Sequence, residues 1–75
     1  MKKFYTGEPV RIECQGVRTT GVILMASGNG KSLMLSFDAM LDGHAGMMPV
    51  SLDDDGNFYS IFTGTKIKVE KRNAD

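Results

Sequence analysis

The chain of 75 residues has no tryptophan, one cysteine, one histidine and two prolines, and its nine basic residues cancel nine acidic ones. Each scarcity removes a class of explanation. A single cysteine, Cys14, cannot close an internal disulfide, so a stapled secreted scaffold is excluded. Cys14 and His44, each alone in its type, do not complete a zinc site without carboxylates or a second chain, so neither metal nor cofactor is predicted. Zero net charge removes the global positive field of a typical nucleic-acid binder. The longest apolar run, Val22 to Ala26, is five residues, against the ~20 that a membrane-spanning helix needs. With no secretory signal pattern at the amino end, the expected setting is cytoplasmic, reducing and away from the membrane. No stretch of ten residues repeats with an amphipathic helical period; "FDAMLDG" reads at most as one helical turn.

What remains is alternation. Val10, Ile12 and Cys14 alternate with Arg11 and Glu13 to give a first strand ending near Gln15-Gly16. Val17 to Ala26 is a longer strand with apolar residues on both faces after Gly21, which reads as its bend. "KSLMLSFD" places Leu33, Leu35 and Phe37 on one inward face. A loop at Asp42, Gly43 and His44 leads into "AGMMPVSL", whose Met48, Val50 and Leu52 share a face. "DDDGN" reads as a hairpin tip before "FYSIF". "KIKVEK" alternates Ile67 and Val69 with charges as a last strand, and the final four or five residues are expected to fray. The predicted fold is all-β: one domain over residues 1–75, ordered from about 8 to 71, forming a small antiparallel barrel of five or six strands. At ~0.05–0.15 kcal/mol per residue its stability is only ~4–11 kcal/mol, so self-association is a natural support.

Two motifs suggest chemistry and fail on register. "SGNGKS" ends like a phosphate-binding loop, but the first glycine of that pattern falls on Met25, and a strand rather than a helix follows Lys31. The letters read as a glycine-rich turn. In "SLDDDGNF", Asp53 and Asp55 precede Gly56 as in a calcium loop, yet the first ligand position is Ser51 and the twelfth is Phe62, where a glutamate is required. A nucleophilic Cys14–His44 pair is disfavoured because Cys14 lies in the inward phase of its strand.

Two stretches, "VRIECQGVRTTGVI" and "IFTGTKIKV", resemble the motifs of the Sm-like RNA-binding barrels, through Gly16, Gly21 and Gly64. The resemblance implies an SH3-like or Sm-like barrel. It carries over no RNA-binding residue, since Thr63 stands where that family commonly has an arginine. Nearly the whole chain, from "GKSLMLSFDAMLDGHAGMMPV" through "DDDGNFYSIFTGTKIKVEKR", is similar to small bacterial proteins carried on mobile (integron) gene cassettes. That likeness implies a compact β-rich fold and no particular activity.

Six methionines are the most unusual feature of the composition, and Met40, Met47 and Met48 flank the His44 loop. Methionine adapts to irregular surfaces. The expected function is therefore non-enzymatic binding, with self-association, around Asp42, His44, Met47 and Met48, toward a protein or small-molecule ligand; Met34, Met47 and Met48 are read as either core or interface. The alternative is single-stranded RNA or DNA binding through Arg11, Arg18, Lys66 and Lys68, which project from the outward phases of the first two strands and the last.

Overall fold

A computed structural model describes residues 4–72. Six strands, β1 (Pro9–Cys14), β2 (Val17–Ala26), β3 (Ser32–Leu41), β4 (His44–Leu52), β5 (Phe58–Ser60) and β6 (Lys66–Lys71), follow one another as antiparallel neighbours. β6 then pairs with β1 and closes the barrel. The expected all-β antiparallel barrel is thus present, with six strands. Of the last four or five residues, expected to fray, 73–75 lie outside those described, while Lys71 is the last residue of β6.

The strands form where alternation places branched or sulfur-bearing side chains on one face. Val10, Ile12, Cys14, Ile23, Leu33, Leu35, Phe37, Met48, Val50, Phe58 and Ile67 line the interior and are all buried. The turns follow from residues that accept positive φ. Gln15-Gly16 (φ 51 and 84) and Asp42-Gly43 (φ 50 and 78) are two-residue type I′ turns, whose twist matches that of the strands they join. "DDDGN" is a hairpin tip, as expected: the Asp53 amide donates to the Asn57 carbonyl at 2.9 Å, and the Asp53 carboxylate accepts the Asp55 and Asn57 amides. "SGNGKS" is the β2–β3 turn. There the Ser27 amide donates to the Ser32 carbonyl at 2.9 Å and the Asn29 side-chain oxygen accepts the Lys31 amide at 3.0 Å.

Gly21 is needed for a close approach. A Cβ there would overlap the Ser36 carbonyl oxygen and come within 3.0 Å of Ile12. The irregularity in β2 lies beyond it, between Ile23 and Met25.

Two readings of the sequence are corrected. "FDAMLDG" forms no helical turn: β3 continues through it to Leu41, because three residues, Phe37 to Ala39, bulge opposite Gly46 before the ladder resumes at Met40 and Ala45. Gly46 takes φ 86 at this point. "FYSIF" is strand only to Ser60. Ile61 to Gly64 form a turn closed by Ser60 N–H to Thr65 carbonyl (2.9 Å) and Gly64 N–H to Ser60 carbonyl (2.8 Å).

Both barrel ends are covered. Where β1 begins, the buried Phe4 packs edge-on against Phe58 with ring centres 5.8 Å apart. Lys71 secures this end, its ammonium 3.1 Å from the Glu8 carboxylate and over the rings of Phe4 and Tyr5. Where β1 ends, the β3–β4 turn supplies Leu41, fully buried.

Candidate interaction surfaces

The β3–β4 turn meets the β5–β6 turn at the second of these ends. The Thr63 hydroxyl donates to the Asp42 carboxylate and lies 3.0 Å from the Thr65 hydroxyl. The His44 ring stacks on Phe62, with centres 5.6 Å apart and planes 10° from parallel, while its Nδ1 lies 3.0 Å from the Asp42 carbonyl, which accepts from an Nδ1–H tautomer. His44 is therefore half-buried at the start of β4 and held by neighbours on both sides, where an exposed loop was expected. Asp42 also acts on Cys14: burial first, and the Asp42 charge second, push the thiol pKa above its ordinary 9.0. A thiol held protonated and 2% exposed is a poor nucleophile.

The four residues expected to form one site occupy three environments. Asp42 and His44 belong to the turn contact. Met47 points out of β4 and is 54% exposed, whereas Met48, one residue on, is fully buried in the core. Alternation along a strand makes one shared surface for both methionines impossible.

Met47 belongs instead to an outer face that crosses three strands. The ladders align Val22 with Ser36 and Ser36 with Met47, and in the next row Met25 with Met34 and Met34 with Pro49. The Ile61 amide donates to the Pro49 carbonyl at 3.1 Å and brings Ile61 to the end of that row. Val22, Leu24, Met25, Met47 and Ile61 are all exposed, between 39% and 67%, and no charged residue occupies the outward positions of these two rows. Leu24 and Met25 both face outward because the β2 irregularity breaks alternation there.

The opposite wall is charged. Pairing of β1 with both β2 and β6 gathers Arg11, Arg18, Lys66 and Lys68 onto one face, with Arg11 opposite Glu70 and Glu13 between Arg18 and Lys68. Two of the cations have carboxylate partners at 3.6 Å, Arg18 with Glu13 and Lys68 with Glu70. At the tip between β4 and β5, amide donors and the Tyr59 hydroxyl hold the half-buried Asp53 carboxyl below its ordinary pKa of 3.8, and the same contact raises that of Tyr59. These bonds complete the turn. Among the described residues no group of three or more His, Cys, Asp or Glu is placed to hold a metal ion, and no helix is long and apolar enough to cross a membrane.

The turn contact drew on Phe62 and Thr63, and the uncharged face on Met25 and Ile61, none of which the sequence reading placed in a site. Comparison with protein-family models, with curated proteins and with solved structures finds no match to this chain.

Proposed function

We propose that this protein is a non-enzymatic interaction module that associates with a second copy of itself through the uncharged outer face of β2, β3 and β4. The observation that carries the reading is the outward apolar row Met25–Met34–Pro49–Ile61, exposed at Met25 and Ile61 and half-buried at Met34 and Pro49, with the exposed Val22, Leu24 and Met47 beside it. A contiguous apolar patch is where a soluble protein meets a partner. A partner bearing charge here would lose its hydration without gaining a counter-charge, whereas the same face of a second molecule is equally uncharged and meets it about a two-fold axis. Three strands spaced ~4.8 Å apart offer only a few hundred Å², so the dimer belongs to the weak class, below ~1,200 Å² in total.

Sedimentation velocity over roughly 10 µM to 1 mM tests this. The native chain is expected to shift from monomer to dimer, and Met25→Glu with Met47→Glu is expected to remain monomeric with unchanged circular dichroism. A native chain that stays monomeric throughout, or a double variant that associates as well as the native one, overturns the reading.

The second reading, binding of single-stranded nucleic acid, draws support from the gathering of Arg11, Arg18, Lys66 and Lys68 on one wall. Glu13 and Glu70 interleave with these cations and reduce the wall's net charge to two, four cations less two carboxylates. Filter binding to single-stranded RNA is expected to weaken with salt, with a log–log slope no steeper than about −3 for four phosphates. No binding at low salt, or binding indifferent to salt, removes this reading. The Sm-like and SH3-like likeness belongs to the same proposal; the closed order of six strands and the close approach at Gly21 support it.

A further inference from the structure

The wall of the barrel is incomplete on one side of β6. β5 has three residues and β6 six; β5 matches only Lys66 and Ile67, because it begins at Phe58 opposite Ile67 and no residue before Phe58 pairs with β6. The backbone groups left open are set by alternation in the ladder. In an antiparallel ladder the N–H and C=O of successive residues point to opposite neighbours. The Arg72 amide donates to the Pro9 carbonyl at 3.1 Å, so Arg72, and with it Glu70 and Lys68, bonds toward β1. The Ser60 amide donates to the Thr65 carbonyl at 2.9 Å, so Thr65 and Ile67 bond toward β5. Val69 and Lys71 continue the second series. Their N–H and C=O groups point to the side of β5 but lie beyond its first residue, Phe58, and none of the strand pairings or turn bonds among the described residues reaches them there.

A trough opens along this edge. Phe4, Leu52, Asn57, Phe58, Val69 and Glu70 line it, and Phe4 and Phe58 are the edge-on aromatic pair of the covered barrel end. The trough also reaches Lys66, Lys68 and Glu13, so its charged groups, with Glu70, number two of each sign.

We infer that this edge is a strand-addition site, at which an extended, uncharged peptide segment pairs with Val69 and Lys71 and covers the gap left by β5. Paired donors and acceptors spaced two residues apart along a strand match an extended polypeptide, whose own groups repeat at about 6.8 Å. A half-buried strand edge also gains more from pairing than an edge open to water. The balanced rim favours neither acidic nor basic sequence, and the apolar lining suits alternate small apolar residues facing Phe4 and Phe58. The site is independent of the apolar outer face of β2 to β4.

Amide exchange and chemical-shift mapping by nuclear magnetic resonance test the inference on the intact chain. Without peptide, the Val69 and Lys71 amides are expected to exchange much faster than that of Glu70, which is bonded to β1. Protection at Val69 and Lys71 equal to that of Glu70 would mean that the edge is already covered, and would overturn the proposal. The probe is an acetylated, amidated peptide of alternating threonine and valine. It is expected to slow exchange at Val69 and Lys71 and to shift their resonances with those of Phe4 and Phe58. The same peptide N-methylated throughout is expected to bind at least about tenfold more weakly, since two hydrogen bonds of ~1 kcal/mol are lost. Equal binding of the two peptides, shifts confined to other strands, or no shift at all sinks the inference.

Discussion

Gly21→Ala is expected to destabilise the barrel by about 3 kcal/mol or more, a large part of the ~4–11 kcal/mol available to a chain of this length. The added methyl group meets the carbonyl oxygen of Ser36 on the neighbouring strand, and on its other side Ile12 in the core. No side-chain rotation relieves an overlap between Cβ and backbone, so β2 and β3 must separate at the pairing of Gly21 with Phe37. The matched control is Gly28→Ala in the β2–β3 turn, where the added methyl meets nothing within 4 Å and the expected change is within about 0.5 kcal/mol. Thermal unfolding followed by circular dichroism separates them. A fall in Tm on the order of 10–25 °C is expected for Gly21→Ala, with little change for Gly28→Ala. Equal effects, or a gain in Tm at Gly21 from the smaller unfolded-state entropy of alanine, would show that the close approach does not exist.

Gly21 also marks how far the fold was legible. Its importance was readable, because a glycine inside an alternating strand signals a bend or a close approach. Which of the two applies depends on what lies across the ladder, and that is a property of register. The inward faces of β1 and β3 were readable for a simpler reason: Val10, Ile12 and Cys14, like Leu33, Leu35 and Phe37, keep an unbroken period of two. Legibility fails where the period is interrupted. Three residues of β3 opposite Gly46, and the irregularity between Ile23 and Met25, each shift the phase of the residues beyond them. Past Phe37 the alternation therefore looked like the end of a strand, and the Asp42-Gly43 turn looked like part of a long loop.

The candidate site was less legible than the fold, and Met47 with Met48 shows why. Clustering in sequence suggested one surface, yet adjacent residues in a strand point to opposite sides. Met47 has its outward cross-strand neighbours on β3, in Ser36 and the nearby Met34, and only the pairing of β3 with β4 reveals them. The open edge at Val69 was still further from view. It depends on how late β5 begins, and "DDDGN" gave no sign that pairing with β6 would start only at Phe58.

A second large effect is expected from truncation at Leu41. This residue lies in a segment whose sequence suggested a helical turn or loop, and in such a segment its truncation would matter little. In the barrel it is fully buried, at the end where β1 finishes, while its neighbour Met40 is 63% exposed. Leu41→Ala is expected to cost about 2–5 kcal/mol, from lost burial and from the cavity left behind, with a fall in Tm on the order of 10 °C or more. Met40→Ala is expected to stay within about 0.5 kcal/mol. Urea unfolding of the two variants decides between a loop residue and a core residue at this position, provided the slope of free energy against urea is unchanged. Closely similar midpoints would mean that Leu41 does not cover the barrel end. A low midpoint for Leu41→Ala alone would establish that the turn holding Asp42 and His44 is part of the core's closure. The contacts of that turn with Phe62 and Thr63 would then hold the closure in place.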